Sequence, residues 1–149
     1  MINDKKQTIL IVEDEQALLK VYAERFSEEG FLVLKASNGQ EGLDTALREK
    51  PDIILLDILM PVMDGLTMMQ KLRENKTWDK SVPIIFLTNL SEHEERVMRS
   101  TNENKPAYYL VKSDWSLSSI VEKARAAVLS HQEKEAIRLN LLNYMQKKL

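Results

Sequence analysis

Four stretches of this chain are apolar without a break, and each runs into a polar residue. Ile9 to Val12 leads into Glu13, Asp14 and Glu15, and Ile53 to Leu56 into Asp57. Ile84 to Leu87, entered from Pro83, leads into Thr88, and Tyr108 to Val111 into Lys112. Runs that do not alternate fit strands buried on both faces, as in a parallel sheet covered by helices. Phe31 to Leu34 is a fifth, shorter strand.

The segments between have helical spacing. Leu18, Leu19, Tyr22 and Phe26 mark a helix that Gly30 stops. Ser37-Asn38-Gly39 opens a short helix carrying Leu43, Ala46 and Leu47, which ends at Lys50-Pro51. Met60-Pro61 and Asp64-Gly65 form a loop and turn into a helix from about Leu66 to Arg73, with Leu66, Met69 and Leu72 inward. Ser91 to about Asn104 is a thinly apolar helix with only Val97 and Met98. Leu117, Ile120, Val121, Ala124 and Val128 give the clearest amphipathic helix, with Ser116 as its cap.

Five strands alternating with five helices mean an α/β fold: a parallel sheet with right-handed crossovers, sandwiched between helical layers. The size suits a flavodoxin-like (βα)5 three-layer sandwich with strand order 2-1-3-4-5. That order sets the first and third strands side by side, roughly 4.8 Å apart, so that Asp14 and Asp57 converge. It brings Thr88 beside them and leaves a gap of ~10 Å that the Lys112 side chain can cross. The domain is read as 1–130, with a helical extension or connector over 131–149.

Composition removes several alternatives. The chain has 149 residues, 44% apolar and 30% charged, with a formal charge of −2, so nothing draws it as a whole to nucleic acid or an anionic membrane. It has no cysteine, which excludes disulfides, thiolate catalysis and cysteine–zinc sites. Met1 to Thr8 are mainly polar, with no signal peptide, and no apolar run approaches the ~18 residues of a membrane helix. A cytoplasmic setting is expected.

Four strand ends therefore place Glu13, Asp14, Asp57, Thr88 and Lys112 at one rim. Crowded carboxylates raise one another's pKa unless a cation neutralises them. Hard oxygen donors suit Mg²⁺, which keeps open positions for water and phosphate oxygens. A carboxylate beside it can attack phosphorus, while a hydroxyl and an ammonium share the charge of the transferred group.

With those residues in place, the chain resembles a response-regulator receiver domain of two-component signalling, over Thr8 to about Ser130. The resemblance implies that Asp57 is the phospho-acceptor, Glu13 and Asp14 the acidic pair, Thr88 the switch hydroxyl and Lys112 the conserved-type lysine. It implies that Tyr109 is the aromatic switch and that the Leu59 backbone carbonyl is a third Mg²⁺ ligand beside Glu13, Asp14 and Asp57. A histidine kinase or phosphotransfer protein would be the donor, and an unnamed protein the downstream partner. The only chemistry implied is self-phosphorylation and self-dephosphorylation, not turnover of a substrate as an enzyme.

The match departs at several points. Ser113 stands where such domains carry a cis proline, so a trans bond is expected. Asn89 is larger than the residue usual there and narrows access to the site. Leu59 and Leu90 are apolar at the positions that tune phosphoryl lifetime, so slow self-dephosphorylation is expected. The approach to the last strand is altered, to Asn104-Lys-Pro-Ala107.

Single residues have plainer readings: an acid favouring a helix start, a strand-end hydroxyl, a solvated lysine, a packed tyrosine. Their joint placement favours the site. His93 and His131 read as solvated surface, and the methionines from Met60 to Met69 as core and rim filling. In the tail, Ile137, Leu141, Met145 and Leu149 recur every fourth residue. The plain reading is an extension of the last helix packed on its own domain. The sharper one is a connector or a homodimer contact through the last helix or tail. Nineteen residues hold no DNA-binding module, so no direct nucleic-acid contact is expected. The rivals are an unphosphorylated receiver-like adaptor and a Mg²⁺-dependent aspartyl-phosphate hydrolase. Leu59, where the hydrolase needs a second aspartate, counts against the latter.

Overall fold

The computed structural model describes residues 5–89 and 108–148. Five strands, β1 (Thr8–Val12), β2 (Leu32–Ala36), β3 (Ile53–Leu56), β4 (Ile84–Thr88) and β5 (Tyr108–Val111), form one sheet in the order β2-β1-β3-β4-β5. Every neighbouring pair is parallel. Successive side chains on a strand point to opposite faces. Ile9, Ile11, Ile53, Leu55, Ile85 and Leu87 therefore join a core with Leu19, Phe26, Ile120 and Ala124, while Leu10, Val12, Ile54, Leu56, Ile84 and Phe86 join a second core with Ala46, Met68 and Leu72. Burying each Ile or Leu contributes about 1.5–3 kcal/mol on either face, which is why the runs do not alternate.

The helices are α1 (Gln16–Glu28), α2 (Gly39–Glu49), α3 (Gly65–Glu74) and α4 (Leu117–Lys148). Helix α1 buries Leu19, Tyr22 and Phe26 and is followed by Gly30 at φ 94°, a left-handed conformation that suits glycine. The Asn38 side chain accepts the Glu41 amide at 2.9 Å and opens α2. Asp64 accepts the Thr67 amide at 2.7 Å and opens α3. Ser116 Oγ accepts the Ser119 amide at 3.1 Å at the start of α4, as its sequence position suggests. The expected helix over 91–104, with His93, and also Leu90 and Asn104 to Ala107, lie outside the described residues.

Two features differ from the reading of the sequence. Helix α4 passes residue 130 unbroken, the extension that the plain reading expects, but from 132 to 148 every residue except Glu135 is exposed, so it does not pack on the described residues of the domain as that reading has it. His131 is not a solvated surface residue. Its side chain is only 19% exposed, and its Nε2 lies 3.9 Å from Asp79 Oδ2. The methionines divide as expected, Met68 and Met69 fully buried and Met60 and Met63 packed at the margin.

Candidate functional site

The strand register builds the site. Val12 pairs with Leu56, so Glu13 and Asp57 follow at the same level, and the Asp57 amide donates to the Val12 carbonyl at 3.0 Å. Thr88, the fully buried last residue of β4, pairs with Val111, which sets Lys112 just beyond the same edge. Lys112 begins a 3₁₀ turn over Lys112–Asp114. No described peptide bond is cis, so the bond before Ser113 is trans, as expected. All four strand ends meet at one rim.

There the Lys112 side chain reaches across the sheet. Its Nζ donates to Glu13 Oε2 at 2.9 Å and Oε1 at 3.1 Å, and to Asp57 Oδ2 at 3.4 Å. Glu13 and Asp57 are buried and Asp14 is exposed, yet one carboxylate oxygen from each lies within 4.8 Å of the others. Two of these three carboxylates thus hold the one ammonium.

The electrostatics follow from that imbalance. Burial pushes the Glu13 carboxyl up to about 7; the Lys112 hydrogen bond pulls it down without cancelling that, and the Asp57 charge adds to the rise. Asp57 is also raised, chiefly by burial, against the pull of Lys112. Burial works against the charge on Lys112, but the hydrogen bond to Glu13 and the Asp57 carboxylate outweigh it, and its pKa is raised. With all three acids ionised the site would hold two negative charges more than its lysine compensates, and the raised values are the response to that excess. The hard oxygen donors and the missing positive charge both fit a divalent cation of the Mg²⁺ kind.

The remaining expected residues are less central. Tyr109 is half-buried, its ring stacked at a 34° tilt on Phe86 with centroids 5.2 Å apart. Leu59 lies two residues past Asp57 with its side chain exposed, and Asn89 is exposed beyond β4.

Gly65 and Tyr22 belong to the surroundings of the site, though the sequence did not reveal them. A Cβ at Gly65 would lie 2.2 Å from the Asp57 carbonyl oxygen, and the Gly65 amide donates to the Ile58 carbonyl at 2.8 Å. The Asp64-Gly65 pair signalled a turn, but not that α3 starts against the backbone of Asp57. Tyr22 reads as one more apolar helix position. Its hydroxyl is pushed up to about 12 by burial and by the charges of Glu13 and Asp57.

Comparison with known proteins agrees with this geometry. The family model described as response regulator receiver domain matches residues 9–125. A probable transcriptional regulator ycf27 of Guillardia theta is 39% identical over 94 residues, 63% of this chain and 35% of that protein. The transcriptional regulatory protein SrrA of Staphylococcus aureus is 46% identical over 92 residues, 60% of this chain and 35% of that protein. The chain thus spans about a third of the length of such relatives. A CheY-like receiver domain protein from Methanospirillum hungatei superposes with a TM-score of 0.77 at 23% identity, over 87% of this chain and 99% of that one, a likeness of fold.

Proposed function

The chain belongs to the response regulator receiver family, and from that premise we propose that Asp57 accepts a phosphoryl group from a histidine kinase or phosphotransfer protein. An Asp57 carboxylate oxygen attacks phosphorus as the phosphorus–nitrogen bond of the donor's phosphohistidine breaks. The electron pair leaves with the imidazole, which takes up a proton. Glu13, Asp14, Asp57 and the Leu59 carbonyl would hold Mg²⁺, which supplies positive charge against the phosphoryl oxygens. Lys112 donates to a phosphoryl oxygen from its place beside Asp57 Oδ2, and Thr88 offers its hydroxyl from the adjacent strand. The observation that carries the reading is the cluster of three carboxylates, two of which, Glu13 and Asp57, pair with the Lys112 ammonium.

The phosphorylated state then biases a protein-binding surface that includes β5 and the start of α4. Tyr109 supports this, because it is paired with Phe86 across the strand from which Thr88 extends. The downstream partner remains unnamed, and the relatives described as transcriptional regulators admit an output carried elsewhere in a longer chain.

The test is intact-protein mass after incubation with Mg²⁺ and acetyl phosphate, beside Asp57→Asn. A gain of one phosphoryl group in the parent and none in the variant is expected. If nothing is gained, a panel of phosphorylated histidine kinases follows. No transfer from any of them would overturn the reading in favour of an unphosphorylated adaptor.

A further inference from the structure

The outer half of α4 carries apolar side chains that its own domain does not cover. Ile137, Leu139, Leu141, Leu142, Tyr144 and Met145 are each at least 44% exposed. Residues advance about 100° around a helix, so Ile137, Leu141, Tyr144 and Met145 share one stripe, roughly 110° round from the face that Ile120, Ala124 and Val128 bury. A helix with such a stripe gains most of its stability from packing, and this stretch has no packing from the described residues of its domain.

We propose that a second copy of this chain covers the stripe, the two α4 helices running parallel. Ile137, Leu141 and Tyr144 fall at alternating four- and three-residue steps, the seam spacing of a two-stranded coiled coil, over one heptad bounded by Lys134 and Lys148 at the same seam position as Leu141. In that frame Glu133 and Arg138 occupy the two flanking positions that meet across a parallel seam, so each copy's Glu133 faces the other's Arg138 with opposite charge. Arg138 is 69% exposed; it lies 3.5 Å from Glu135 and its charge also acts on Asp79, and its exposure leaves it accessible to a partner. The stripe is short, so pairing would sit at the small end of specific interfaces, whose lower limit is about 1,000 Å². The seam lies away from the face that Ile120, Ala124 and Val128 bury. The pairing is independent of whether Asp57 accepts a phosphoryl group.

Sedimentation of the full chain tests this. The average mass is expected to climb toward about twice the monomer's as concentration rises through the micromolar range, as for a small reversible interface. Leu141→Lys should return it to monomer, whereas Leu139→Lys, on the opposite side of the helix, should not. Both positions are exposed, so an unchanged melting temperature verifies that the domain is intact. Because the chain has no cysteine, Ile137→Cys and Tyr144→Cys variants report orientation under oxidation. Each should cross-link to itself in a parallel pair. A monomer throughout, or a dimer that survives Leu141→Lys, overturns the proposal. Cross-linking of Ile137→Cys only to Tyr144→Cys overturns the parallel arrangement.

Discussion

Lys112 and Glu13, 99 residues apart, form the tightest ion pair of the rim: the ammonium contacts both Glu13 oxygens at 2.9 and 3.1 Å and stands farther, at 3.4 Å, from the Asp57 carboxylate. The lysine is therefore held mainly by the neighbour of the proposed acceptor. It serves as the cation for two buried acids together.

Removing it should expose that dependence. Lys112→Met leaves Glu13 and Asp57 buried without a cation and is expected to cost about 3 kcal/mol at pH 8, the scale for breaking a buried pair. The loss should shrink at pH 6, where Glu13 protonates. Urea unfolding of parent and variant at both pH values reads the difference. An equal loss at both would show that Glu13 does not carry the effect.

The same site sets a pH dependence in the parent protein. Glu13 in the folded state is raised to about 7 from an ordinary 4.5. Between those values the folded state binds more protons than the unfolded one, so this group makes the metal-free protein more stable as pH falls from about 7 toward 4.5. Asp57, raised as well, acts with the same sign. A divalent cation requires the ionised acids, so saturating Mg²⁺ should raise the melting temperature more at pH 8 than at pH 6. Thermal melts with and without Mg²⁺ check it, and a larger metal effect at pH 6 would contradict the assignment.

Gly65→Ala should harm both fold and site. The added methyl would meet the Asp57 carbonyl oxygen at 2.2 Å, a backbone atom with little room to yield. Overpacking of this kind costs about 1–3 kcal/mol. Phosphoryl uptake at Asp57 should slow as well, while Gly42→Ala, whose added methyl would meet only the side chains of Val12 and Met68, should leave uptake closer to the parent's. Denaturation midpoints and phosphorylation rates measured side by side separate the two effects.

Val62 offers the opposite sign. It holds φ 68° with its side chain 82% exposed, so a β-branched residue bears a left-handed strain that no packing offsets. Val62→Asn should raise stability by about 1 kcal/mol, since the left-handed conformation costs a branched residue about 1–2 kcal/mol. A melting temperature unchanged or lowered would show that the loop relaxes around valine.

The strand ends were legible because a buried parallel strand leaves a simple mark, an unbroken apolar run that stops at the first polar residue. Strand order then converted five separate positions into one rim. Gly65 and Val62 were illegible for a different reason: their meaning lies in a close backbone approach and a dihedral angle, and neither changes the hydrophobic pattern. His131 looked polar in sequence because its partner, Asp79, arrives from a loop 52 positions earlier. The continuation of the last helix was legible, but not its departure from the domain, since the tail's apolar stripe looks as ready to pack inward as outward.

At 1.5 Å per residue α4 is about 48 Å long, of which some 26 Å extends past Ser130. Such a rod is a lever arm. A tilt of about 10° at its seat on the sheet would sweep its far end through roughly 5 Å, about one helical turn. A displacement too small to disturb the core beneath Ile120 and Ala124 would thus arrive at Met145 as a change in where a neighbouring surface can stand.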